Sequence, residues 1–188
     1  ISKKVNFKKL NVLSKLEIKK VINDIKPNNI FYLAGQSSIP KSFNLSEETK
    51  NSNFTGAKNF LEIIEKEKIN TNFFKANSGY IFKPNNGVID LKCSLIKPNN
   101  PYVKAQQSAY KLIKKYRLRN LNCYSLIFMQ IESPLRDKNF FIKKVCLHAK
   151  KRKKVVVGNI YTLRDYSWIE DIVKGVYYAT FIKPCDII

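Results

Sequence analysis

The side chains with chemical capacity are gathered in a few polar segments of this 188-residue chain. Leu33-Ala34-Gly35-Gln36-Ser37-Ser38 leads to Ser42-Phe43, and Asn77-Ser78-Gly79-Tyr80 follows. Pro98-Asn99-Asn100-Pro101-Tyr102 comes next, then Glu132-Ser133-Pro134-Leu135-Arg136. Gly158-Asn159-Ile160 and Arg164-Asp165-Tyr166 stand near the end. Metal chemistry is not expected. Cys93, Cys123, Cys146 and Cys185 are far apart, no Cys-x-x-Cys occurs, and His148 is the only histidine. Cys123 sits in the apolar run 123–129, which reads as a buried thiol on a strand in a reducing, cytoplasmic compartment. His148, in a basic helical stretch, reads as a surface histidine.

The charge points to an anionic partner in general. Lys+Arg is 35 against Asp+Glu 14, a net +21. Only Arg117, Arg119, Arg136, Arg152 and Arg164 are arginines, whereas phosphate readers lean on Arg forks. Lys, Asn and Ile all have AT-rich codons, so base composition and a selected basic face are equal candidates as the source of the charge. The densest block, Lys150-Lys151-Arg152-Lys153-Lys154, lies where a helix ends. It reads either as a solvated connection suited to the helix dipole or as a phosphate or nucleic-acid patch. No aromatics interleave with it as on a stacking platform, so nucleic acid is not the expected partner. No run approaches the roughly 20 apolar residues of a membrane helix, so no membrane is expected.

The elements that must position these segments alternate. Ser14-Lys15-Leu16-Glu17 is a capping box opening a helix with Leu16, Val21, Ile22 and Ile25 on one face, stopped by Pro27. Residues 29–35 form an apolar run ending in Gly, the pattern of a strand buried on both faces of a parallel sheet. A polar loop over 36–43 precedes a helix over 47–68, with Phe54, Ala57, Leu61 and Ile64 on one stripe. Further strands are expected at 72–77, 122–129 and 155–157. Further helices are expected at 102–117, 140–150 and 168–180, the first of them with Ala105, Ala109, Leu112 and Tyr116 inward. This alternation predicts an α/β fold, a partial Rossmann-like parallel sheet with flanking helices. Ligands in such sheets sit beyond the carboxyl ends of the strands, where the polar segments fall.

In order and spacing these segments resemble the extended short-chain dehydrogenase/reductase family, and within it the GDP-mannose 4,6-dehydratases. Ala34 to Ser37 with Ser42-Phe43, Glu132 to Arg136, Gly158-Asn159-Ile160 and Arg164-Asp165-Tyr166 carry the match. The resemblance implies an NADP cofactor and GDP-mannose or a related nucleotide sugar as substrate. It implies catalytic positions at Ser78, Tyr80, Tyr102 and Gln106, and cofactor positions at Ala34, Gly35, Gln36, Tyr102 and Gln106. It implies substrate positions at Ser37, Gln130, Arg136, Lys144 and Arg164. A homo-oligomer is also in keeping with the family. The plain structural alternatives are a strand-end turn serine for Ser78, a packing aromatic for Tyr102 and a solvated Arg164.

The chain departs from the family pattern at chemically decisive places. The family has Tyr-x-x-x-Lys, one helical turn apart, but four residues after Tyr102 stands Gln106. Gln hydrogen-bonds a ribose hydroxyl but does not lower a phenol's pKa electrostatically. The family's Glu, two residues after the Ser/Thr, is Tyr80, and its Asn-His pair reads Gln130-Ile131. No Gly-x-x-Gly-x-x-Gly for a cofactor pyrophosphate occurs among the six glycines, and the chain opens on Ile1. The expectation is an internal piece of a longer protein. Residues 1–150 would form a partial NAD(P)-binding domain and 151–188 the start of a substrate-binding region. The expected function is a degenerate GDP-mannose 4,6-dehydratase with little or no turnover. The alternatives are an active nucleotide-sugar epimerase or reductase, and a non-enzymatic basic anion- or nucleic-acid-binding module.

Overall fold

The computed structural model describes residues 5–188. Its helices are α1 (Lys15–Ile25), α2 (Ile39–Asn44), α3 (Ser46–Lys50), α4 (Gly56–Lys66), α5 (Pro101–Arg117), α6 (Phe141–Lys150) and α7 (Ile169–Ala179). Its strands are β1 (Asn29–Tyr32), β2 (Asn72–Ser78), β3 (Cys123–Phe128), β4 (Gln130–Glu132), β5 (Tyr166–Trp168) and β6 (Asp186–Ile187). The chain divides into two compact units, one running to Ile127 and taking in Lys183–Ile188, the other Phe128–Ile182. The division falls at the end of β3, and the last residues join the first unit because β6 returns to pair with β3.

The first unit holds a four-stranded sheet in the order β1-β2-β3-β6. β1 and β2 run parallel from Asn29↔Asn72 to Tyr32↔Lys75, and β3 and β6 run parallel through Ser125↔Asp186. The expected α/β fold with a parallel sheet and flanking helices is what the chain adopts. Parallel neighbours require crossovers, here the helices between β1 and β2 and α5 between β2 and β3. On one face, Tyr32, Phe73 and Cys123 pack with Ala57, Phe60, Leu61 and Ile64 of α4 and with Ile113 and Tyr116 of α5. On the other, Phe31, Phe74 and Tyr124 stack at 4.9 and 4.2 Å between ring centroids.

Several local expectations change. β1 is an edge strand and not buried on both faces, since Phe31 is 41% exposed. On α1 the buried residues are Ile18 and Ile22, one turn apart, while Leu16 on the opposite side and Ile25 in the last turn are exposed. The Ser14 hydroxyl caps the Glu17 N–H as expected, but the Glu17 carboxylate accepts from Asn11 N–H at 2.9 Å and not from the cap residue. The stretch expected as a loop at 36–43 contains α2, because Ser38 caps it and Pro40 sits in its first turn. The helix expected over 47–68 is broken by a π-helical turn at Asn51–Thr55. Val155–Val157 is not a strand: β-branched residues favour one only where a partner is available, and β4 pairs with β5 instead, Gln130↔Tyr166 to Glu132↔Trp168.

Asp186 ties the end of the chain to α5. Its carboxylate accepts from Arg117 Nη2 and from the Tyr110 hydroxyl, each at 2.8 Å. Among the described residues, no helix is long and apolar enough to cross a membrane.

Candidate active site

Four residues singled out in the sequence come together at the carboxyl end of β2. Ser78 closes the strand and caps the short turn Gly79–Ile81, its hydroxyl accepting from Tyr80 N–H at 3.3 Å. Tyr102 lies in the first turn of α5, positioned by Pro101 and by the Asn100 side chain, which caps Val103 N–H at 2.8 Å. The phenol is buried, and burial pushes its pKa up. Hydrogen bonding with Ser78 and Gln106 opposes that rise, and the nearby Tyr80 adds to it. Among the described residues no ammonium acts on this phenol, in keeping with the glutamine four residues along the helix.

Gln106 is held from behind. Its Nε2 donates to Asn53 Oδ1 at 2.9 Å, while the Asn53 Nδ2 donates to the Gln36 carbonyl at 2.9 Å and the Thr49 carbonyl at 3.0 Å. Asn53 belongs to the π-helical turn and is 2% exposed. Its side chain fits only because Gly35 lacks a Cβ, which would stand 2.3 Å from Asn53 Oδ1. The link therefore runs from the end of β1 through Asn53 and Gln106 to Tyr102.

Ala34, Gly35 and Ser37 lie exposed beyond β1. Gln36 spends its side chain within the turn: Nε2 donates to Thr49 Oγ1 at 3.0 Å and to the Ser38 carbonyl at 2.9 Å, and Oε1 accepts from Ser38 N–H. Its backbone N–H donates to Ser52 Oγ at 3.1 Å.

The remaining sequence-derived positions are carried by the second unit. Gln130 opens β4, its N–H bonded to the Asp165 carbonyl at 3.2 Å. Arg136 places its guanidinium 3.6 Å from the Phe140 ring centroid. Lys144, on α6, donates to the Val156 carbonyl at 2.6 Å, and Arg164 is exposed beside the Leu163 carbonyl at 3.2 Å.

A nicotinamide dinucleotide is the cofactor the resemblance implies. One atom fits its ribose: Gln106 Oε1 is a buried acceptor that no donor among the described residues meets. No residue of this sequence forms the glycine-rich turn for the pyrophosphate.

Sequence reasoning passed over two residues. Asn53 is one, and the polar Asn-x-Asn interrupting an otherwise amphipathic stripe was its signal. Lys75 is the other, three residues before Ser78 and 1% exposed. Its amine donates to the Ala76 carbonyl and lies 5.5 Å from the Tyr32 ring centroid. Burial alone brings its pKa down to about 7.

The family model described as GDP-mannose 4,6 dehydratase matches residues 1–183. GDP-mannose 4,6 dehydratase of Drosophila melanogaster is 28% identical over 167 residues, covering 84% of this chain and 42% of its own length. The Homo sapiens enzyme is 25% identical over 166 residues, covering 84% and 45%. The chain thus spans less than half the length of these relatives. Among solved structures, Thermus thermophilus UDP-glucose 4-epimerase in complex with NAD superposes with a TM-score of 0.84. It is 19% identical and covers 99% of this chain and 63% of its own. A Streptomyces venezuelae dTDP-glucose 4,6-dehydratase with NAD and TYD bound gives 0.81 at 13% identity, covering 94% and 55%. These two likenesses concern the fold alone. The family-model match over nearly its whole length places the chain in the GDP-mannose 4,6-dehydratase family.

Proposed function

We propose that this chain is a nucleotide-sugar-binding member of its family, directed at GDP-mannose with NADP, in which the dehydration chemistry is disabled. The observation that carries the reading is the buried phenol of Tyr102, whose pKa is pushed up with glutamine and not lysine one turn along α5. A nicotinamide cofactor, when bound, supplies the hydride acceptor. The chain must supply a base for the proton of the sugar 4-hydroxyl, and a base needs an ionised phenol at neutral pH. Here desolvation favours the neutral phenol, so Tyr102 and Ser78 hydrogen-bond the hydroxyl without deprotonating it. Gln106 Oε1 offers an acceptor to a ribose hydroxyl, which favours binding over turnover. Tyr80 presents a phenol where the family has a carboxylate for the C5 proton.

The test is purified chain with GDP-mannose and NADP, followed by product analysis and thermal shift. The expected result is a raised Tm with GDP-mannose and no 4-keto-6-deoxy sugar above background. Appreciable turnover to that sugar would overturn the disabled reading. Conversion to an epimer or reduced sugar would favour the rival, an active enzyme of altered chemistry. Failure to bind any nucleotide sugar would overturn both.

A further inference from the structure

The end of α6 folds its cations back on themselves. Lys151 and Lys153 N–H groups both donate to the His148 carbonyl, at 3.1 and 2.9 Å, and Arg152 N–H donates to the Ala149 carbonyl at 3.0 Å. Arg152 adopts a left-handed backbone, φ 51°, where the helix stops. This turn brings Lys153 beside residues of the helix itself. A cavity of about 440 Å³ results, lined by Lys138, Asn139, Lys144, Leu147, His148, Lys151 and Lys153, with no aspartate, glutamate, phenylalanine, tyrosine or tryptophan in its wall. In this unit the ion pair among the described residues is Lys174 with Asp171, at 3.6 Å, so none of the four lysines of the wall is paired with a described carboxylate. Asp137, next to Lys138, turns its carboxylate to the Asn139 N–H at 2.9 Å. His148 Nδ1 faces the Lys144 carbonyl at 2.8 Å. A carbonyl only accepts, so Nδ1 carries the hydrogen and the donors left for an anion are the lysine amines.

We propose that this cavity binds a small, multiply charged phosphate anion of the pyrophosphate class. Lys138, Lys151 and Lys153 line one cavity with no described carboxylate paired to them, while the Lys144 amine is taken by the Val156 carbonyl at 2.6 Å; like charges brought near one another repel, and an anion relieves that repulsion. Lysine suits such a ligand as a point charge with three rotatable donors, which phosphate oxygens accept from many directions. The concave shape favours a small anion over nucleic acid, since a groove for single strands adds several aromatic platforms in succession, and this wall has only the His148 ring. The site goes beyond the nucleotide-sugar reading: it uses none of Ser78, Tyr102 or Gln106, and although Lys144 is also a substrate position implied by the resemblance, the anion is assigned to Lys151 and Lys153, which are not.

Calorimetric titration of the full chain with inorganic pyrophosphate, without magnesium and at about 0.15 M salt, tests it. One saturable site is expected. Lys151→Gln/Lys153→Gln should weaken binding by about tenfold or more, the loss of charge-assisted hydrogen bonds. Lys20→Gln/Lys66→Gln, which removes the same charge from exposed positions on α1 and α4, should leave it nearly unchanged. Equal weakening in both pairs, or heat that never saturates, would overturn the site in favour of diffuse attraction to the +21 chain. Binding of a DNA oligonucleotide that needs Lys151 and Lys153 and that pyrophosphate does not displace would overturn it in favour of nucleic acid. The titration needs neither cofactor nor turnover, so its failure and the failure of the nucleotide-sugar reading are separate results.

Discussion

Lys75 has unusual leverage on stability. It sits on β2, 1% exposed, with the Ala76 carbonyl as acceptor, the Tyr32 ring nearby and no carboxylate acting on it. Desolvation lowers its titration from 10.5 to about 7. Unfolding returns the amine to water and to its ordinary value. Between pH 7 and 10.5 the unfolded chain therefore holds a proton that the folded chain has released. Stability rises with pH through that window, by about 1.4 kcal/mol per unit, and levels off below about pH 7, where both states are protonated. Over roughly 3.5 units the penalty amounts to about 5 kcal/mol, an order-of-magnitude figure comparable with a whole domain's stability. Lys75→Met keeps the length of the side chain and removes the ionisable group. Urea denaturation of both proteins at pH 7, 8, 9 and 10 isolates Lys75, because the other titrating groups cancel in the difference. The methionine variant should be the more stable by several kcal/mol at pH 7, with the gap shrinking steadily toward pH 10. A gap independent of pH, or a less stable variant at pH 7, would refute the reasoning.

Gly35→Ala should break the Asn53–Gln106 link, because the new Cβ would meet Asn53 Oδ1 at 2.3 Å. The expected loss is about 1–3 kcal/mol, read by thermal denaturation against Gly158→Ala, where the added Cβ meets open space. Asp186→Asn should cost about 2–3 kcal/mol by leaving Arg117, whose side chain is 21% exposed, without its charged partner. An unchanged urea midpoint would show that β6 needs no such anchor. For the thiols, native protein should yield Cys146 first to a disulfide reagent, since it is exposed. Cys123 should react only on unfolding, because it is fully buried and burial pushes its thiol up to about 12; four rapid equivalents on native protein would contradict this.

The fold was legible where periodicity and length reinforce each other. Long apolar stripes such as Ala57, Leu61 and Ile64 on α4, or Ala105, Ala109 and Tyr116 on α5, announce a buried helix face from local spacing alone. The apolar runs of β1, β2 and β3 between those helices imply parallel crossovers. β5 and β6 carry no such signal, being three and two residues long. Their pairing is decided by residues far away in sequence, Gln130–Glu132 and Ser125–Leu126. Val155–Val157 shows the converse, a strand-like composition without a partner to hydrogen-bond.

The candidate site divides along the same line. Tyr102 and Gln106 are one helical turn apart, so their neighbourhood follows from spacing, and Ser78 follows from its place at a strand end. Asn53 does not. The stripe of a regular α-helix gives no reason to turn its side chain toward Gln106. In the structure Asn53 occupies the π-helical turn and has the missing Cβ of Gly35 to lie against. Lys75 was hidden for a related reason. In Phe73-Phe74-Lys75-Ala76 a lysine reads as the solvent-facing member of a strand, yet β2 is interior to the sheet and its Lys75 face lies with Phe73 on the side covered by α4 and α5. What local pattern hides in both cases is a polar side chain taken into the core by a neighbouring element. Those are also the positions where the cost of burial makes substitution most revealing.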